Sequence, residues 1–195
     1  AVVEYCVKHA NHRVKAIAGA GSNDTSAAVY LSQHAEDSGA DALLHVTPYY
    51  NKASQTGLIK HYEYIADRTE LPVILYNVPS RTGVSFTAET YQVLSQHPHI
   101  NGVKEASGNF SLLAHTKAVC GDDFYIWSGN DDQVVPMMSL GAKGVISVVA
   151  NIAPEIMVQM THLCLEDRFQ EAAQLHLKYI NFIDALFHER NRIPI

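Results

Sequence analysis

Six short apolar runs constrain this chain more than any other feature: "VKAIAGAG" from residue 14, "DALLHVTP" from 41, "PVILYNVP" from 72, "INGVKEAS" from 100, "FYIWSGN" from 124 and "GVISVVA" from 144. Each is apolar continuously and not only at every second position, as a strand is when helices cover both faces of a parallel sheet. The stretches between them carry helical spacing: Val29 and Ala35 within 24–38, Leu58, Tyr62 and Ile65 within 54–68, Met157, Met160 and Leu163 within 153–165. Strand starts recur every ~20–30 residues, enough for a strand, a helix and two short loops. No linker or low-complexity segment interrupts residues 1–195, so the chain reads as a single α/β domain of repeated βα units. A (β/α)8 barrel and an open doubly wound sheet of about six strands both keep this rhythm.

The ends bear on that choice. Val3, Cys6, Val7 and Ala10 form one helical stripe with no capping residue before it. At the other end Phe169, Ala172, His176, Ile180, Ile183 and Phe187 mark a long helix followed directly by the apolar tail "NRIPI". If the parent fold is a barrel, the expectation is a piece of a longer polypeptide, holding about six of eight βα units and lacking the first two.

Twenty acidic against fourteen basic residues leave a net charge of −6, which supplies no field for nucleic acid or an anionic membrane. A small-molecule partner fits better. Cys6, Cys120 and Cys164 are an odd, scattered set, unlike a disulfide framework or a zinc site, and point to a reducing cytoplasm. No apolar run reaches the length of a membrane span. The eleven histidines show no metal-ligand spacing and are expected mostly at the surface or at caps.

Polar residues gather where each strand would end, the edge at which parallel α/β folds do their chemistry. "AGAGSNDTS" resembles a phosphate cradle, but Asp24 holds the third glycine position, which predicts a tight turn with Asn23, Asp24 or Thr25 capping a helix. Asp131 and Asp132 in "SGNDD" offer carboxylates to a metal, yet suit a helix start equally well. Lys104 is the unusual residue, a cation inside a strand-like run beside Glu105. Shielding a lysine from water disfavours its ammonium form, and the neutral amine can attack a ketone to form a Schiff base. A solvated surface lysine is the alternative. Tyr76, at the end of the "VILY" run, is placed to relay protons. Arg81, in a loop fixed by Pro79 and Gly83, is placed to hold a carboxylate through its guanidinium fork.

"VTPYYN", "ILYNVPSRTG", "GVKEASGN", "WSGND" and "GVISVVAN", in this order and spacing, resemble the dihydrodipicolinate synthase family over essentially the whole chain. The resemblance implies a (β/α)8 barrel and a lyase of the class I aldolase type. It would condense pyruvate with aspartate semialdehyde in lysine and diaminopimelate biosynthesis, without metal or organic cofactor, as a homotetramer built from dimers. It makes Lys104 the imine-forming lysine, Tyr76 a member of the proton relay, Tyr50 the tyrosine that reaches into a neighbouring subunit, and Arg81 the receiver of the semialdehyde carboxylate. Gly129, Asn130 and Ile146 fall where the family lines the substrate pocket, and Asn23 and Tyr49 where it contacts the inhibitor lysine.

Departures from the pattern set further expectations. The family's Gly-Thr-Thr-Gly-Glu turn and its C-terminal helical region have no counterpart, so the chain alone is expected to be inactive. Ala27 stands where lysine-sensitive members carry a glutamate, so lysine inhibition is expected to be weak or absent. N-acetylneuraminate lyase and 2-keto-3-deoxy sugar acid aldolases share the lysine imine and the Tyr-Asn-x-Pro strand end, but generally lack an arginine at the position of Arg81. A non-catalytic protein that retains the pocket is the remaining alternative.

Overall fold

The computed structural model describes residues 2–188, and the apolar tail at 191–195 lies outside the described residues. Strands and helices alternate along the chain. Helix α1 (Val2–Ala10) precedes β1 (Ile17–Gly19), α2 (Thr25–Asp37), β2 (Ala42–Val46), α3 (Gln55–Ala66) and β3 (Val73–Asn77). A one-turn helix α4 (Pro79–Thr82) and α5 (Ala88–Leu94) lead to β4 (Ile100–Glu105), α6 (Phe110–Cys120), β5 (Tyr125–Ser128), α7 (Val134–Ser139), α8 (Pro154–Leu165) and α9 (Phe169–Ala185). The strands form one parallel sheet in the order β1-β2-β3-β4-β5.

Helix starts follow the polar residues that close each strand segment. Asp24 caps α2 by accepting the Ala27 amide at 2.7 Å, and Ser54, Thr87 and Asn109 cap α3, α5 and α6 in the same way. The Gly-Ser-Asn-Asp turn is thus a capped turn, as its missing third glycine implied.

Strand register divides the side chains between two faces. Leu43, Val73, Leu75, Val103 and Ile126 share one face and join Leu58, Tyr62, Tyr91, Leu94 and Leu113 of the helices in a continuous core. A chain of tilted rings, Tyr62–Phe86–Tyr91–Phe124, runs through that layer with centroids 4.7–5.8 Å apart. Burying each such side chain contributes roughly 1.5–3 kcal/mol. The other face, the concave one in a barrel, carries Leu44, Val46, Ile74, Tyr76, Lys104 and Trp127.

The sixth apolar run does not complete a strand. Val145 makes a single parallel bridge to Ser128, supported by Lys143 N–H to Ile126 O at 2.8 Å and Ile146 N–H to Ser128 O at 2.9 Å. Pairing stops there because Asp131 captures the next amides. Its Oδ2 accepts Val148 N–H at 2.9 Å and Val149 N–H at 3.3 Å, and the chain turns into a short 3-10 helix (Val149–Asn151). Arg81 likewise lies in α4 and not in a loop: Pro79 presets the first helical φ, and Gly83 ends the turn at φ 73° with its N–H on Pro79 O.

Candidate active site

The C-terminal ends of β3 and β4 set Tyr76 directly opposite Lys104. A register shift between Val73 and Ile74 produces this alignment, since Val73 pairs with Ile100 while Ile74 pairs with Gly102. Register partners in a parallel pair face the same way, and the Lys104 Nζ accordingly stands 4.4 Å from the centroid of the Tyr76 ring. Lys104 is only 6% exposed. A surface lysine would extend into water. This one lies folded beneath the strand ends against an aromatic face, an arrangement that orients the nitrogen.

Gly129, just past β5, keeps the space beside the lysine open. A Cβ there would stand 2.6 Å from Ala106 Cβ and 3.1 Å from Lys104 Cε, so any side chain would push on the stem of the lysine. Its N–H donates to Glu105 O at 2.7 Å. Asn130 is half-buried, donates from Nδ2 to Gln133 Oε1 at 3.2 Å, and accepts the Ser128 hydroxyl on its carbonyl. Ile146 is half-buried and tied to Ser128 through its backbone. The residues expected around Lys104 from the Ser-Gly-Asn and Gly-Val-Ile segments are therefore attached to the neighbouring strand.

Arg81 is exposed on α4. That turn is fastened from below, where Thr47 Oγ1 donates to Thr82 Oγ1 at 3.0 Å and Thr82 Oγ1 donates to Val84 O at 3.0 Å. Tyr50 projects into solvent with 90% of its surface exposed and a left-handed φ of 72°. A non-glycine residue rarely adopts that conformation. Asn23 and Tyr49 are brought together: Asn23 Nδ2 donates to Tyr49 O and Asn51 Oδ1, both at 3.3 Å, and Asn51 Nδ2 returns a bond to Asn23 O at 3.1 Å. Ala27, one turn into α2, offers no carboxylate to this corner.

Three groups hold contacts that the sequence-based expectation did not give them. Glu105, 4% exposed, accepts Asn77 Nδ2 on both oxygens at 3.1 and 3.0 Å, the Tyr91 hydroxyl at 3.0 Å and the Ser107 amide at 2.8 Å. Burial, and then the Glu105 charge, push the Tyr91 phenol well above its usual value, so it remains an O–H donor. Asp131, offered by the sequence as a metal carboxylate or a helix-start residue, is the second: its Oδ2 accepts two backbone amides, while its buried Oδ1 has no hydrogen-bond partner among the described residues. The third is a pair of buried histidines: His45 is bonded to Ser32 and His61 to Thr25, and burial lowers both to about 4. Most described histidines are indeed exposed or half-buried, but His45, His61 and His176 are not. The signal for Glu105 was its adjacency to Lys104 at a strand end, whereas nothing in the spacing of the histidines marked the buried ones.

Among the described residues no helix is long and apolar enough to cross a membrane. Cys6, Cys120 and Cys164 are free.

Comparison with known proteins places this geometry in a family. The model described as the dihydrodipicolinate synthetase family matches residues 1–195. The 4-hydroxy-tetrahydrodipicolinate synthase of Caldicellulosiruptor saccharolyticus is 48% identical over 194 residues, covering 100% of this chain and 65% of the relative. Among solved structures, dihydrodipicolinate synthase from Aquifex aeolicus superposes with a TM-score of 0.96 at 40% identity, over 99% of this chain and 66% of that one. The chloride-inhibited Acinetobacter baumannii enzyme, solved in complex with pyruvate, does so with a TM-score of 0.96 at 42% identity and the same coverage. The five parallel strands are thus part of the family's barrel, and the chain spans about two thirds of the length of the relatives it matches. A family match over every residue, together with a buried lysine on the strand end it shares with Tyr76, establishes that the chain belongs to the dihydrodipicolinate synthetase family.

Proposed function

We propose that the protein to which these residues belong is a 4-hydroxy-tetrahydrodipicolinate synthase, condensing pyruvate with aspartate semialdehyde through an imine on Lys104. The observation that carries this reading is the burial of Lys104 at a strand end with its Nζ over the Tyr76 ring. In the first step the Nζ lone pair adds to the keto carbon of pyruvate. The carbinolamine oxygen then takes up a proton and leaves as water, giving the imine. Loss of a methyl proton converts the imine to an enamine, whose carbon attacks the aldehyde. Tyr76 is the nearest candidate to carry these protons, with Tyr50 of a neighbouring subunit as its partner in the relay. Arg81 receives the carboxylate of the semialdehyde in a bidentate pair.

Gly129, Asn130 and Ile146 line the pocket, and the step requires no metal or organic cofactor. The complex of the Acinetobacter baumannii relative with pyruvate supports pyruvate as the first substrate. A homotetrameric, cytoplasmic enzyme assembled on a single barrel domain is part of the same reading, as is an Asn23–Tyr49 corner with weak or absent response to lysine. Arg81 favours the synthase over N-acetylneuraminate lyase and the sugar acid aldolases, which generally lack an arginine at this position.

Borohydride reduction of the whole protein to which these residues belong, in the presence of pyruvate, tests the reading. Hydride delivered to the imine carbon leaves a stable secondary amine, and peptide mapping should find it on Lys104 and not on exposed lysines such as Lys60. No adduct, or equal labelling of surface lysines, overturns the proposal. Lys104→Ala should abolish the labelling.

A further inference from the structure

Resting on the reading above, we propose that Glu105 is the positioning residue of the site: its buried carboxylate locks the ends of β3 and β4 together and so holds Tyr76 and Lys104 in working register. Glu105 does not touch the lysine's surroundings through its own side chain, because neighbours along a strand face opposite ways. Its side chain enters the helix layer, where it meets Tyr91 of α5.

Asn77, the residue after Tyr76, donates to both Glu105 oxygens, and its carbonyl accepts Ala106 N–H at 2.8 Å. The same Asn77 amide reaches Ser85 Oγ at 3.2 Å, in the segment that follows the helix bearing Arg81. Ser107 N–H, two residues past Glu105, closes the network on Oε1 at 2.8 Å. A single carboxylate therefore braces both strand ends and α5 directly, and through Asn77 it is linked to the segment after the Arg81 helix. An ionised carboxylate suits this place because all four of its bonds are accepted ones, and bonds to a charged acceptor are about twice as strong as neutral ones. Every donor is already committed, so loosening the carboxylate shifts the backbone of both reacting side chains at once.

Glu105→Gln is the informative variant. It keeps the shape but turns one acceptor into an amide that opposes the Asn77 amide. The assay is the rate of borohydride-trapped adduct formation on Lys104 as a function of pyruvate concentration, in the full chain. An adduct in the unsubstituted protein validates the imine itself, so its absence would count against the reading above and not against the brace.

The expected result is a maximal trapping rate lower by roughly tenfold to a hundredfold, the scale of displacing a catalytic group by about an ångström. The pyruvate concentration for half-maximal rate should change little. Adding Asn77→Asp should restore most of the rate, since the glutamine amide then donates to the new carboxylate. Leu94→Ala, a core cavity of comparable destabilisation, should leave the rate near that of the unsubstituted protein. Should Glu105→Gln fail to fold, Tyr91→Phe, which removes one donor and keeps the carboxylate, should lower the rate several-fold. A folded Glu105→Gln at full rate, no rescue by the double substitution, an equal loss in Leu94→Ala, or a full-rate Tyr91→Phe would each overturn the assignment.

Discussion

The two histidines packed between β2, α2 and α3 should make the fold less stable as the pH falls. His45 is fully buried and His61 is 7% exposed; His45 Nδ1 and His61 Nε2 have no hydrogen-bond partner among the described residues. Desolvation lowers both from the ordinary value of 6.5 to about 4, and for His45 the neighbouring His61 adds to the effect. A depressed histidine favours the folded state only while neutral. Below pH 6.5 the unfolded chain takes up protons that the folded chain refuses, so stability is lost as pH falls from about 6.5 toward about 4 and is constant above that window. At pH 5 the loss is about 2 kcal/mol per ring, or about 4 kcal/mol for the pair, against ~5–15 kcal/mol for a whole domain. With a urea dependence of about 2 kcal/mol per molar, the unfolding midpoint should fall by about 2 M between pH 7.5 and pH 5. His45→Met with His61→Gln should remove most of this slope. Ser32 keeps its bond to Ala28 O in that variant, so no new buried donor is stranded. A midpoint that does not move between the two pH values, or a double variant with the same slope as the unsubstituted protein, would refute the reasoning.

Two further perturbations follow from the geometry. Gly129→Ala places a methyl 2.6 Å from Ala106 Cβ and 3.1 Å from Lys104 Cε, so it should cost about 1–3 kcal/mol in urea unfolding and slow trapping of pyruvate on Lys104; unchanged values for both would show the space to be compliant. Asp131→Asn weakens the acceptor for the Val148 and Val149 amides, bonds worth ~1.5–3 kcal/mol each when the acceptor is charged, and hydrogen exchange at those two amides should quicken at pH 7. Exchange as slow as in the unsubstituted protein would mean that Asp131 does not hold the 147–149 segment.

Much of this molecule was legible because its information is local. Continuous apolar runs mark strands covered by helices, and Asp24, Ser54, Thr87 and Asn109 mark helix starts through chemistry that acts over three residues. The sixth run was over-read for the opposite reason. Nothing in "GVISVVA" opposes a strand, and what ends it is a carboxylate some 17 residues earlier in the chain. Arg81 shows the same limit on a smaller scale, since Pro79 and Gly83 fit a loop or a single helical turn. Lys104 was readable as out of place, and Tyr76 as its partner through motif spacing. The bulge at Val73/Ile74 that brings them level has no sequence signature. The histidine pair was invisible because burial of His45 depends on three elements meeting, while its local context reads as one more strand residue.

A lysine followed by a glutamate inside a buried strand looks like two errors of patterning, and period two resolves both. At the end of β4 the concave face carries Lys104 and the helix face carries Glu105; opposite them on β3 the same alternation places Tyr76 and Asn77. Two adjacent register pairs thus hold complementary groups, one on the concave face and one facing the scaffold. The second pair needs full burial to be strong, which Glu105 and Asn77 have at 4% and 0% exposure. Under the proposed imine chemistry the first needs access for a keto acid, and Tyr76 is half-buried, not sealed. A one-residue slip between β3 and β4 would exchange the two faces and place the carboxylate in the cup and the amine in the core, so the register itself is the quantity that the site depends on.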